Sequence, residues 1–298
     1  MKYFLAALFT LGCFFAKAQN MNSYYLLAGT YASGNNEGIQ VYKFNAQRGN
    51  LSFVRKVAGA ANASYMAVSP DMKFVYTVNE YKDRPGEISA FAFDRTKGDL
   101  KLLNRQPAGD APCYISIDST GKFLIVAEYG SGSISVYKTN ADGSLQPRIQ
   151  HIEHEGYGIV YERQEKPHVH SVVFSPDQKY VFAADLGNDR LYQYRFDPKN
   201  TTAPLSPAGT PYYIVPDGSG PRHFTFHPDG KTAYLLNELI GEIIVYRYNG
   251  ETLEEVQTIA SATAGGKYEQ GSADIHLSPN AKFLYTSNRG ASDNLSIY

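Results

Sequence analysis

The sequence contains no tryptophan, and only two of its 298 residues are cysteine. The first absence excludes any repeat built on a Trp-Asp signature. The charges nearly cancel, with 28 Lys and Arg against 29 Asp and Glu for a net charge of −1. The basic residues are scattered, which argues against a nucleic-acid partner. No stretch has the spacing of a long amphipathic helix. The one long apolar run, Tyr3 to Phe15, is too short to span a membrane. With Lys2 before it and Ala16-Lys17-Ala18 after it, the run reads as a secretory signal peptide over residues 1–18. The expectation is cleavage after Ala18, a mature domain over 19–298 and a periplasmic or secreted protein. Leu11-Gly12-Cys13 faintly resembles a lipid-attachment site, but Thr10 and the apolar Phe14-Phe15 pair do not suit one. Cleavage leaves Cys113 alone, so no intramolecular disulfide is available.

Aromatic residues are plentiful: 24 Tyr and 16 Phe, types suited to half-buried strands. They fall in a repeat that is clearest at Pro221 to Leu239 (PRHFTFHPDGKTAYLLNEL). There Arg222 to His227 alternates, with Phe224 and Phe226 on one face. Pro228-Asp229-Gly230 is turn chemistry, and Ala233 to Leu236 is a second strand. The same turn recurs at Ser69 to Lys73, Asp118 to Lys122, Ser175 to Lys179 and Ser278 to Lys282. Each copy runs on into a third strand, and most into a weaker fourth. Four strands about every fifty residues predict an all-β fold, a β-propeller of four-stranded blades. A single blade cannot bury both faces, so neighbours share a core.

Tyr24 to Tyr31 and Gly38 to Phe44 match a second and third strand with no first strand before them, and Tyr298 closes a third strand. An open ring leaves unpaired edges. The expectation is therefore a propeller whose last blade or two lie beyond this sequence, about fifty to ninety residues given the repeat length. The connection Gln150 to Pro167 is longer than the others and runs into His168-Val169-His170. Strand alternation places those two histidines on one face. That arrangement suits a metal pair, but no acidic partner or third histidine sits at ligand spacing.

The repeat register selects a rim. Six positions before the turn proline, the copies read Ser64, Cys113, His170, Arg222 and Ala273. Seven positions after the shared lysine they read Glu80, Tyr129, Leu186, Glu238 and Arg289. Hairpin folding puts both series at one mouth of the channel. The turns stay alike while these positions diverge, as expected of a site grafted on a scaffold. His170, Arg222, Glu238 and Arg289, from three consecutive blades, are expected to converge there.

The chain from Tyr24 to Tyr298 resembles the lactonase family of seven-bladed propellers, which includes 6-phosphogluconolactonase and carboxymuconate cyclase. The resemblance rests on Glu162-Arg163-Gln164 leading into Pro167-His168-Val169-His170-Ser171, then Gly220-Pro221-Arg222-His223, Asn237-Glu238-Leu239, Ala273-Asp274-Ile275-His276 and Ser287-Asn288-Arg289-Gly290. It implies His170, Arg222, Glu238 and Arg289 as catalytic residues, with Arg163, Gln164, His168, His223 and Asp274 as substrate contacts. It implies a small-molecule lactone as substrate, no cofactor and no metal. Ring opening needs a base for water, Glu238 or His170, and the two arginines to hold the oxyanion or an anionic substituent. Phosphogluconolactone is a cytoplasmic metabolite, and the export signal departs from that setting. Two other readings stand beside this one. The first is a calcium-dependent lactonase drawing on Glu80, Glu128, Asp185, Asn237 and Asn288. The second is a non-enzymatic binding propeller. Mass spectrometry of the exported protein is expected to find an N-terminus at Gln19; a lipid-modified Cys13 overturns that reading.

Overall fold

The computed structural model describes residues 23–31, 38–81, 84–262, 264, 266 and 268–298. The signal peptide expected over 1–18 lies outside them. The described residues form six antiparallel sheets. The opening sheet holds β1 (Ser23–Gly29), β2 (Ile39–Asn45) and β3 (Asn50–Val57). Four four-stranded sheets follow. They are β4 (Met66–Val68), β5 (Phe74–Asn79), β6 (Glu87–Asp94), β7 (Asp99–Pro107); β8 (Pro112–Ile117), β9 (Phe123–Glu128), β10 (Ser133–Lys138), β11 (Gln150–Glu153); then, after a single helical turn α1 (Tyr161–Gln164), β12 (Val169–Phe174), β13 (Tyr180–Asp185), β14 (Arg190–Phe196), β15 (Leu205–Ile214); and β16 (Pro221–Phe226), β17 (Thr232–Asn237), β18 (Glu242–Tyr248), β19 (Leu253–Ala260). The last sheet holds β20 (Ser272–Leu277), β21 (Leu284–Asn288) and β22 (Asn294–Ile297).

The second strands β9 and β13 are buried along their whole length because each inner blade packs on two neighbours, and the apolar residues of facing sheets meet between blades. Ile125, Ala127 and Val136 pack against Val172, Phe174 and Val181, and Phe182 of one blade meets Phe224 of the next. Such burial between sheets is the main stabilising term. The first strands of successive blades, β4, β8, β12, β16 and β20, stand side by side around the axis. Outward faces of the first and last sheets expose Tyr24, Leu26, Leu295 and Ile297.

The repeated turn has one design. In three copies a hydroxyl, on Ser69, Ser175 or Ser278, donates to the side chain two residues on, Asp71, Asp177 or Asn280. The same hydroxyl accepts the amide of Phe74, Tyr180 or Phe283. The residue before each lysine lies in the left-handed region. Glycine fills it at Gly121 and Gly230, but Met72, Gln178 and Ala281 adopt it too, with φ of 57°, 59° and 54°.

Every described first strand except β4 is broken by a bulge near its mouth end. Pro221 pairs with Asn237 and His223 with Leu236, so Arg222 is the extra residue. Cys113 and His170 are bulged in the same way, as is the Ala273-Asp274 pair. A bulge re-aims a side chain that strand alternation would otherwise direct. It also corrects an expectation. His168 lies one residue before β12, and the bulge at His170 breaks the two-residue period, so the two histidines do not share a strand face. Part of the long connection is itself strand: Gln150–Glu153 is the fourth strand of the preceding blade.

Left-handed backbone costs a non-glycine residue about 1–2 kcal/mol, and glycine gives back part of that through chain entropy. Met72→Gly is therefore expected to unfold at higher denaturant than the parent, by up to about 1 kcal/mol. Met72→Val is expected to unfold lower, the reverse order being the disproof.

Candidate active site

The bulged residues and the ends of the second strands meet in a pocket of about 430 Å³ lined by Glu80, Cys113, Arg163, His170, Arg222, His223, Glu238, Asp274 and Arg289, among others. A larger cavity, about 640 Å³, lies among the turns, lined by Pro70, Asp71, Lys122 and Lys138. Its charges are separate side chains of turns and of a strand end, so the chemistry points to the smaller pocket.

At its centre is the carboxylate of Glu238, held where β17 ends by the hydrogen bond of its amide to Gly220 O, 2.7 Å. The side chain is only 6% exposed and meets three guanidinium groups. Arg163 Nη2 donates to Oε1 at 2.7 Å. Arg222 Nε and Arg289 Nη2 stand 2.9 and 3.1 Å from Oε2. The Arg222 contact is an ion pair whose N–H is not aimed at the oxygen. Burial would raise the Glu238 pKa, but Arg222, Arg289 and Arg163 override it and hold the carboxylate below its usual range. Arg222 is itself enclosed, its side chain 13% exposed, whereas those of Arg163 and Arg289 are 41% and 54% exposed.

Each arginine is delivered differently. Arg222 sits on the β16 bulge and also donates through Nη1 to Ala273 O. Arg289 follows β21, with Nε donating to Gly271 O at 3.2 Å. Arg163 comes from α1, which lies over the mouth. Gln164 fastens that turn: its amide nitrogen donates to Leu186 O and to Asp189 Oδ1, both at 2.8 Å, and its oxygen accepts from Val160 N. Asp189 also accepts the amides of Gly218 and Gly220, which ties α1 to the segment entering β16.

His170 lines the pocket with its Nδ1 3.7 Å from Cys113 Sγ. Desolvation foremost, then Arg222 and His223, push its pKa well below the ordinary histidine value, so the ring is neutral at neutral pH.

Arg163, His170, Arg222, His223, Glu238, Asp274 and Arg289 are thus brought together. Gln164 and His168 are not. Gln164 is fully buried, its amide used in anchoring α1. His168 stacks on Tyr129 at 4.3 Å and meets Tyr129 O and Glu165, away from the pocket lining. Both stand outside the pocket lining, in supporting positions. Sequence reasoning missed Tyr31 and Tyr65, which also line the pocket. Tyr65 and Tyr114 stack at 4.0 Å. A signal existed. One residue beyond the divergent bulge series, the copies read Tyr65, Tyr114, Ser171, His223 and Asp274, and these diverge as strongly.

The oxygen donors weighed for calcium are dispersed. Glu128 accepts from Gly109 N and Ser133 Oγ, Asp185 from His168 N and Gly187 N, and Asn288 from Ser272 Oγ. Glu80 accepts from Tyr31 at 2.6 Å, and Asn237 is buried with neither amide atom partnered. Among the described residues no group of three His, Cys, Asp or Glu is placed to hold a metal ion. No helix among them is long and apolar enough to cross a membrane.

The family model for lactonases of the seven-bladed β-propeller type matches residues 25–298. The chain belongs to that family. It is 36% identical over 282 residues to the 6-phosphogluconolactonase of Bacillus subtilis, covering 93% of this chain and 78% of the relative. A crystal structure of a putative 6-phosphogluconolactonase from Bacteroides fragilis superposes with a TM-score of 0.87 at 42% identity, covering 94% of this chain and 78% of that one. The structure of a periplasmic gluconolactonase from Pseudomonas aeruginosa gives 0.84 at 36% identity, covering 92% and 82%. The family description has seven blades where the described residues of this lactonase-family chain form six sheets.

Removing the Glu238 charge strands Arg222, so Glu238→Gln is expected to destabilise the fold at neutral pH by about 3 kcal/mol. Arg163→Ala and Arg289→Ala, at exposed partners, are expected to cost under about 1 kcal/mol. Because the folded pKa of Glu238 is depressed, its contribution is present above the unfolded glutamate pKa and lost as pH falls through the folded one. Denaturant melts of parent and Glu238→Gln are thus expected to converge in acid. A gap that stays constant with pH would refute the assignment.

Proposed function

We propose that this protein hydrolyses a sugar-type lactone of the 6-phosphogluconolactone kind in the pocket at the propeller mouth. The observation that carries the reading is the pairing of a neutral histidine, His170, with arginines fixed around one buried carboxylate. It is supported by the names of relatives in which this chain covers more than two thirds of the length.

His170 is the better base. Both Glu238 oxygens are occupied by guanidinium groups, and a carboxylate held below its usual pKa takes up a proton poorly. Neutral imidazole has a lone pair to offer. In the reaction, His170 accepts a proton from water as the water oxygen bonds to the lactone carbonyl carbon. The carbonyl oxygen becomes an oxyanion held by Arg222, whose charge is fixed in place before the reaction begins. As the carbonyl re-forms, the ring C–O bond breaks, and the departing oxygen takes the proton back from imidazolium. The product is the open-chain hydroxy acid. Glu238 serves as the fixed anion that holds the arginines in register. Arg289 and Arg163, more exposed, receive an anionic substituent or the carboxylate of the product. Nothing in this set calls for a metal. A setting outside the cytoplasm is part of this reading, and the periplasmic gluconolactonase of Pseudomonas aeruginosa supports it.

A panel of lactones, phosphorylated and not, with and without chelator, tests the reading. Turnover is expected to survive chelator. The acid limb of kcat/KM is expected below pH 6.5, because His170 must be unprotonated and its pKa is depressed. His170→Ala should remove that limb. Arg222→Lys should lose about a hundredfold in kcat, by analogy with loss of one oxyanion donor. Arg289→Ala should mainly raise KM, and more for anionic lactones. If no lactone is turned over, or all these variants match the parent, the pocket is a binding surface and not a hydrolytic site.

A further inference from the structure

His223 follows the bulged Arg222 and is 6% exposed. Both its ring nitrogens are engaged. Nδ1 stands 2.7 Å from Asp274 Oδ1, and Nε2 stands 3.3 Å from Arg222 Nη1. Guanidinium nitrogens only donate, so Nε2 must accept, and the ring proton is then on Nδ1, donated to the carboxylate. The other Asp274 oxygen meets His276 Nε2 at 2.9 Å. The ring is boxed in by Tyr114 and His170, each with ring centroids 5.3 Å away, and by Tyr65 at 6.1 Å. Burial foremost, with Arg222 beside it, pushes the His223 pKa down to about 4, which keeps the Nε2 lone pair free at neutral pH.

This arrangement leaves His223 with no hydrogen-bonding atom for a substrate, although the family resemblance implies it as a substrate contact. We infer that His223 is a positioning residue: Asp274 fixes its tautomer and its Nε2 orients the guanidinium of Arg222, so that Nη2 is the donor left for the lactone oxyanion. The chain of contacts runs from Asp274 through His223 and Arg222 to Glu238. The planar fork is held by an imidazole and the Ala273 carbonyl on Nη1 and by the ion pair with a carboxylate beside Nε. Arginine has long rotatable stems, and an oxyanion donor stabilises a transition state only if its direction is set beforehand. The functional half of this inference rests on the lactonase reading; the tautomer half does not.

The experiment therefore has two arms. Long-range ¹H–¹⁵N spectra of the parent protein at neutral pH read the tautomer directly, with the His223 signals assigned by their loss in His223→Gln. The Nδ1–H form is expected; the Nε2–H form, or an imidazolium, overturns the inference whether or not a lactone is turned over. In the kinetic arm, His223→Phe keeps a flat ring but offers Arg222 no acceptor. It is expected to lower kcat at least about tenfold, the scale of losing an outer partner of a reacting group, while KM stays within about twofold. His223→Gln, whose side-chain oxygen can accept from Arg222, is expected to recover much of that loss. A rise in KM without loss of kcat would make His223 a substrate contact, and parent kcat in His223→Phe would make it a filler of space; either result overturns the inference. Should His223→Phe fail to fold, the parent spectra and His223→Gln still decide it.

Discussion

The buried carboxylate of Glu238 is the constraint on which the pocket depends. A lone ion in that position would be strongly disfavoured, and so would Arg222 beside it. Together they are stable only when the strand ends, the β16 bulge and α1 bring their charges within about 3 Å, which the ion-pair geometry shows. The site therefore cannot form before its blades have docked. Arg222 and Glu238 belong to one hairpin, but Arg289 belongs to the next blade and Arg163 to the connection that enters the preceding one. The ionic centre also joins adjacent blades.

Function and stability are divided along each strand. The inter-blade faces carry Val, Ile, Leu and Phe, and the turns repeat one hydroxyl–carboxylate device; both serve folding. At the end of each second strand a polar side chain is buried: Asn79, Glu128, Asp185, Asn237 and Asn288. Most of these clamp the chain that enters the first strand or a neighbouring one. Asn79 donates to Ala61 O, Glu128 accepts from Gly109 N, and Asp185 accepts from His168 N. The next residue, the bulged residue opposite and the one after it vary more widely from blade to blade.

Much of this was legible from one chain. Turn spacing gave the blades to within a residue or two at most strand ends, because a repeat averages over local ambiguity. The opposition of Arg222 and Glu238 followed from counting back from a turn, since hairpin pairing is a local matter. The bulges were not legible. Nothing in Pro221-Arg222-His223 marks an extra residue, yet that residue moves His168 and His170 out of step and aims Arg222 into the mouth. Gln164 looked like a substrate contact because it sits beside Arg163. The difference between them is one step around a helical turn, which directs one side chain to Glu238 and the other to Asp189.

The sequence by itself determined the blade architecture, the shared rim and the residue types gathered there, because period-two burial and turn chemistry act over a few neighbouring residues. Tertiary structure alone decided what those residues are to one another. Three arginines gather on the one carboxylate of Glu238, which under the proposed function makes it an anchor and His170 the base, and both ring nitrogens of His223 are engaged. Protonation and hydrogen-bond roles depend on distances of about 3 Å between side chains far apart in the chain. Those distances are set only when neighbouring blades pack side by side.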